Sequence, residues 1–189
     1  MNDKCYLGID PGSRGYLATQ CNGEFSFYSI EDNDLYQLSE IMAKIRSTYS
    51  NLVCIIEDVH AIGNSAAKST FTFGFNKGYL VGLLAANKIP YILVQPKEWQ
   101  KEIWTNPDMV VNYKKVIIKG KEVTKKEVDT KKTSINAAKR LFPHIDFRKS
   151  DRCKNLDDNK VDAVGRGAPT PPPFSPIPHK KSRRMPFSG

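Results

Sequence analysis

Two short apolar runs in this chain each end in a carboxylate. Tyr6-Leu7-Gly8-Ile9 is closed by Asp10, and Leu52-Val53-Cys54-Ile55-Ile56 is closed by Glu57. A short continuous apolar run bounded by turn residues reads as a buried strand. A carboxylate left unpaired at a buried strand end loses its hydration at considerable cost, so something must compensate it. A third acidic group, Asp157, Asp158 and Asp162, lies far along the chain. The fold is therefore constrained to one that gathers distant acidic segments around a compensating charge, and a divalent cation supplies that charge well.

The remaining composition narrows the class. A chain of 189 residues with 40% hydrophobic content supports one domain with a real core. No apolar stretch approaches the roughly 18–20 residues that cross a bilayer, so no membrane association is expected. The first residues, Met1-Asn2-Asp3-Lys4-Cys5, lack the basic and apolar regions of a secretory signal, and a cytoplasmic location is expected. Cys5, Cys21, Cys54 and Cys153 show no CxxC spacing. They read as small buried thiols, with neither zinc nor a disulfide framework expected.

The formal net charge of +9 is unevenly spread. Residues 1–96 carry −2, residues 97–154 carry +8, residues 155–164 carry −2 and residues 165–189 carry +5. The basic excess thus flanks the third acidic group. A solvated basic face is one reading. Affinity for nucleic acid is the sharper one, because Lys and Arg neutralise phosphates.

Along the chain, Asp10-Pro11-Gly12-Ser13-Arg14-Gly15 forms a tight turn after the first strand. Residues 16–21 and 24–30 read as a hairpin around Asn22-Gly23. Residues 34–49 have helical spacing, residues 52–57 a strand, Asn64 to Asn87 a long helix after a polar start, and residues 89–94 another strand. Pro96 opens a short helix through Trp104. Residues 105–129 alternate valine and isoleucine with lysine, as an inserted hairpin or mobile arm would. A helix over 130–142 follows, and a last short helix runs from Leu156 to Val164. From Gly165 onward glycine and proline halt helical structure, and residues 165–189 read as a disordered, basic, Pro-rich tail. The expected domain is residues 1–164, a mixed α/β sheet flanked by helices, with 105–129 as a lysine-rich insertion.

Each acid has an ordinary explanation when taken alone. Asp10 before Pro-Gly is a turn former, Glu57 a solvated strand end, and Asp157-Asp158 a helix cap. Together they match a demanding chemistry. Phosphodiester hydrolysis needs an activated water and a stabilised leaving oxygen, which two divalent ions about 3.5–4 Å apart can provide. Such ions take oxygen ligands from several elements. Asp10 and Glu57 would lie side by side on neighbouring strands, and Asp158 and Asp162, four apart, would share one face of a helix.

Gly8-Ile9-Asp10-Pro11-Gly12, Ile56-Glu57-Asp58-Val59 and Asp158-Asn159-Lys160-Val161-Asp162-Ala163, in that order, resemble the motifs of RuvC-type Holliday junction resolvases, members of the RNase H-like nuclease superfamily. The likeness extends over residues 4–164 and includes a long helix after the second carboxylate and the segment Gln95-Pro96-Lys97. It implies an RNase H-like mixed five-stranded sheet. It also implies a metal-dependent endodeoxyribonuclease acting on branched or four-way DNA, with Mg2+ as cofactor, two ions bound, and Mn2+ as a substitute. Asp10, Glu57, Asp158 and Asp162 correspond to the catalytic, metal-binding acids. The family commonly spaces its last pair three apart, whereas here the spacing is four, which leaves Asp157 as an alternative to Asp158.

The resemblance further implies a homodimer joined through the helix around Phe75–Ala86, with Gly78 and Gly82 permitting close approach. His60 stands where the family can carry an aromatic wedge, with Phe71 and Phe73 as substitutes, and Lys97, Lys101, Lys131 and Lys132 are candidate phosphate contacts. Two alternatives stay open: a junction-binding protein of the same fold that does not cut, and an RNase H-type enzyme for RNA–DNA hybrids.

Overall fold

Alternation along the strands decides the architecture. The computed structural model describes residues 4–58, 67–118 and 121–167. Five strands, β1 (Cys5–Ile9), β2 (Tyr16–Cys21), β3 (Glu24–Ser29), β4 (Leu52–Glu57) and β5 (Tyr91–Val94), form one sheet in the order β3-β2-β1-β4-β5. β1, β2 and β3 are an antiparallel meander, and β4 and β5 run parallel to β1. The β2–β3 turn uses Asn22 and Gly23 at φ of 53° and 82°, the left-handed pair that a two-residue hairpin needs. The mixed five-stranded sheet expected from the sequence is what forms.

Odd-numbered residues of β1 (Cys5, Leu7, Ile9) and even-numbered residues of β4 (Leu52, Cys54, Ile56) enter one core. That core is completed by Leu38, Met42 and Ile45 of α1 (Leu35–Thr48) and by Leu80 and Leu84 of α2 (Ala67–Ala86). Asp34 caps α1 through a reciprocal pair of bonds with Gln37. The opposite sheet face is covered by α3 (Pro96–Ile103), α4 (Thr130–Leu141) and α5 (Asp158–Gly167). Val161, Ala163 and Val164 of α5 pack with Tyr16, Ala18 and Phe147, and Trp99 and Ile103 of α3 pack with Val94.

Three expectations need correction. The last helix does not stop at Val164; it continues to Gly167. The glycines that read as helix breakers serve instead as points of close approach. A Cβ on Gly8 would fall 1.9 Å from the Ala163 carbonyl oxygen, and one on Gly165 would fall 2.9 Å from Ile103 Cδ1. Helix α5 therefore lies directly on β1 and against α3. Second, Cys5 and Cys21 are joined as a disulfide, because the Tyr6–Gln20 register sets them opposite each other with Cα atoms 4.6 Å apart. Only Cys54 keeps the character of a buried free thiol; free Cys153 is partly exposed. Third, the strand expected from residue 89 begins at Tyr91.

The 105–129 segment holds a 3-10 turn at Asn106–Asp108 and then an antiparallel ribbon, β6 (Val111–Ile118) with β7 (Lys121–Val128). Asp108 anchors its base. It accepts from the Thr105 amide and hydroxyl at 2.8 and 2.7 Å and from Arg140 of α4 at 2.8–3.3 Å. Among the described residues no helix is long and apolar enough to cross a membrane. The tail from residue 168 lies outside the described residues.

Candidate active site

The register of the two central parallel strands delivers the first two acids. Ile9 pairs with Ile56, so Asp10 and Glu57 leave β1 and β4 side by side. Both have the parity opposite to the α1/α2 core and so emerge on the α5 side of the sheet. Asp10 is 7% exposed and Glu57 8%. Asp10 does form the turn that its Pro-Gly context foretells: its Oδ1 accepts from the Gly12 amide at 3.1 Å. The other carboxylate oxygen remains available to the site.

Helix α5 brings Asp162 to the same place, and with it a residue that the sequence patterns did not single out. Arg166, one turn beyond Asp162, is 3% exposed. Its Nη2 lies 2.8 Å from Glu57 Oε1 and 3.9 Å from Asp162 Oδ2, and its Nη1 lies 3.7 Å from Asp10 Oδ2. The guanidinium sits over the Trp99 ring, 5.2 Å from its centroid, an arrangement that favours a cation. Trp99 Nε1 donates to Glu57 Oε1 at 3.3 Å. Burial pushes the Asp162 carboxyl up to about 6; Arg166 opposes that shift, the charges of Asp10 and Glu57 add to it, and a hydrogen bond from Ser134 of α4 holds it back. The three carboxylates surround an arginine that the sequence places at the start of the tail.

Asp158 is placed differently. It stands in the first turn of α5 and pairs with Lys131 of α4 at 2.6 Å. Asp157 is spent on structure, accepting from the Tyr16 hydroxyl at 3.0 Å and from the Asn159 amide at 3.0 Å. The structure thus brings Asp10, Glu57 and Asp162 together around Arg166 and ties Asp158 to a lysine.

Three carboxylates and hard oxygen chemistry suit a divalent cation as a donor set. Their arrangement does not. Among the described residues no group of three or more His, Cys, Asp or Glu stands ready to hold a metal ion, and the guanidinium of Arg166 lies among the acids instead.

Of the candidate DNA contacts, Lys97 and Lys101 are exposed on α3 and make no ion pair among the described residues. Lys131 is paired with Asp158, and Lys132 with Asp129 at 3.5 Å. Phe73 is partly buried on α2, whereas Phe71 and Phe75 are exposed on that helix at 74% and 51%. His60 lies outside the described residues. No sequence signal pointed to Trp99 or Ser134. Arg166 could have been found by its spacing of four from Asp162, had the flanking glycines not been read as a stop.

No family model matches the sequence, and no curated protein matches it. Solved structures do match. A Thermus thermophilus RuvC structure in complex with a Holliday junction substrate superposes with a TM-score of 0.52 at 7% identity, covering 87% of this chain and 90% of that one. A second Thermus thermophilus RuvC structure gives a TM-score of 0.48 at 10% identity, covering 86% of this chain and 90% of that one. The first likeness establishes the architecture: an RNase H-like fold of the kind seen in RuvC.

Proposed function

We propose that this protein is a structure-selective endodeoxyribonuclease that binds branched, four-way DNA and hydrolyses its phosphodiester bonds at the cluster of Asp10, Glu57 and Asp162. The observation that carries this reading is the convergence of those three acids from β1, β4 and α5 on one edge of a RuvC-like sheet. The protein's net charge of +9 suits a polyanionic substrate.

The roles of the chain's own residues follow from their placement. Asp10 and Glu57, fixed at adjacent strand ends, concentrate negative charge at a rigid point. Lys97 and Lys101, exposed on α3 and without an ion pair among the described residues, would meet phosphates. Lys131 and Lys132 would do the same once released from Asp158 and Asp129. The proposed cofactor is Mg2+, with Mn2+ as a substitute, and its chemistry would be activation of water and stabilisation of the leaving oxygen. A cytoplasmic location goes with a DNA substrate.

Homodimerisation belongs to the same proposal. One face of α2 presents Phe71, Phe75, Gly78 and Gly82, and a Cβ on either glycine would meet nothing within 4 Å. A second copy of this helix would cover that face and let the two backbones approach closely. Phe75→Glu should convert a dimer to a monomer in sedimentation; a variant that sediments like the parent protein removes α2 from the interface.

A second reading is favoured by one observation. A protein of this fold that binds junctions without cutting would carry an inert centre, and a carboxylate cluster occupied by Arg166 fits that description. Labelled four-way junction, linear duplex and RNA–DNA hybrid, each incubated with and without Mg2+, separate these possibilities. Metal-dependent cutting of the junction alone supports the nuclease. Junction binding without cutting supports the second reading, and preferential cutting of the hybrid supports an RNase H-type activity.

A further inference from the structure

The cluster of Asp10, Glu57 and Asp162 is met by a cation that belongs to the chain. Arg166 is fully enclosed, with its side chain 2% exposed, and its Nε and Nη1 have no hydrogen-bond partner. A dense hydrogen-bond network does not hold it. It is held by one short bond to Glu57, by the charges of Asp10 and Asp162, and by the face of Trp99.

We propose that Arg166 is the resident counter-ion of this cluster and that divalent cations bind only after it withdraws, so that the arrangement described above is a closed, metal-excluding state. The inference rests on reading the three acids as the reactive centre. A hard divalent ion needs oxygens at about 2.0–2.6 Å from one point. A planar guanidinium, with its nitrogens 2.8–3.9 Å from the same oxygens, keeps them spread around a much larger group. It also repels an incoming cation through a buried, weakly screened path. One guanidinium carries a single charge against three carboxylates, so the cluster retains an attraction for cations that Arg166 only partly meets.

Withdrawal needs only the Arg166 side chain to move. Arg166 lies one turn beyond Asp162 on α5. The long Arg166 side chain can move between rotamers about its own torsions while Asp162 stays seated beside Ser134. The backbone of that turn is closely seated, Gly165 against Ile103 and Trp99 and Gly167 against Gly8, so the movement belongs to the side chain.

The test is a Mn2+ titration of the full chain, read from the paramagnetic resonance signal of the free ion. It compares the parent protein with Arg166→Gln, Arg166→Lys and the double variant Asp10→Asn/Arg166→Gln. Arg166→Gln is expected to gain saturable binding at least about tenfold tighter than the parent protein. The double variant is expected to lose that gain, and Arg166→Lys, which keeps the charge, to exclude Mn2+ as the parent does. Parent protein that binds Mn2+ as tightly as Arg166→Gln, with both losing it on Asp10→Asn, overturns the proposal. If Arg166→Gln does not fold, recovery of its fold by added Mn2+ supports the proposal. Failing that, the parent protein decides: tight, Asp10-dependent binding overturns the proposal and its absence supports it. Cleavage assays keep the two readings apart. A variant that binds Mn2+ yet cuts no junction sinks the nuclease reading and leaves the counter-ion; a parent protein that binds Mn2+ tightly and cuts does the reverse.

Discussion

Trp99 and Glu57 are joined by a hydrogen bond from the indole N–H to Oε1, at 3.3 Å, and the same oxygen takes the 2.8 Å contact from Arg166. One carboxylate oxygen at the end of β4 is thus fixed by donors from two separate helices. The second oxygen of Glu57 is left to whatever else enters the site. A carboxylate oriented in this way is preorganised, which is the condition under which electrostatic groups contribute most to a reaction.

Asp10→Asn removes a charge while keeping the acceptor that bonds the Gly12 amide, so the turn should survive. Junction cleavage in a single-turnover assay should fall by roughly a hundredfold or more, as for loss of a preorganised charge at a reacting centre. Junction affinity by gel shift should be nearly unchanged. Undiminished cutting would take Asp10 out of the centre.

Gly8→Ala tests the seat of α5. The added Cβ would stand 1.9 Å from Ala163 O and 2.7 Å from Gly167 N, both backbone atoms that cannot turn aside. Denaturant unfolding should show a loss of roughly 3 kcal/mol or more, at the upper end of overpacking costs. A loss below about 0.5 kcal/mol, typical of an open surface position, would mean that α5 does not lie on β1.

Asp108 gives the clearest pH dependence. Hydrogen bonds from Arg140 hold its carboxyl down at about 2, against an ordinary value of 3.8, with Thr105 assisting and burial opposing. A depressed folded-state pKa supplies stability that is complete above the unfolded value and is lost as pH falls toward the folded one. The contribution should therefore be intact above about pH 4 and fade toward pH 2. Asp108→Asn should lower stability by about 1–3 kcal/mol at neutral pH and remove this acid-range slope. A mutant whose urea midpoints keep the parent's pH dependence between those limits would show that the slope comes from other groups.

Lys97 and Lys101 are exposed and free of ion pairs among the described residues. Replacing both with glutamine should weaken junction binding and flatten the plot of log affinity against log salt by about 2, near 0.9 for each phosphate no longer neutralised. Weaker binding with an unchanged slope would indicate a structural effect rather than weaker neutralisation of phosphates.

The sequence was a good guide where side chains obey strand parity and a poorer one where they meet across the fold. The continuous apolar runs of β1 and β4 marked both strands and the acids that close them, and parallel pairing of the two strands then set Asp10 beside Glu57. The lysine-rich segment, with valines and isoleucines set among lysines, left an inserted hairpin and a mobile arm open, and the ribbon of β6 and β7 is the hairpin. Arg166 was hidden because Gly165 and Gly167 carry two physical meanings: helix breaking, which is local, and close packing, which depends on a partner such as Gly8. The pairing of Cys5 with Cys21 depends on a register that composition does not reveal. Asp158 and Lys131, and likewise Asp108 and Arg140, are contacts between elements distant in sequence, with no periodic signal to join them.

Parallel pairing of Ile9 with Ile56 has a consequence for how this gene can change. Deleting or inserting one residue within either strand would rotate its terminal acid through half a turn of the pleat, from the arginine side into the apolar layer formed by Leu80 and Leu84. Substitutions along β1 and β4 can therefore be gradual, whereas their lengths are held by the placement of the acids at their ends.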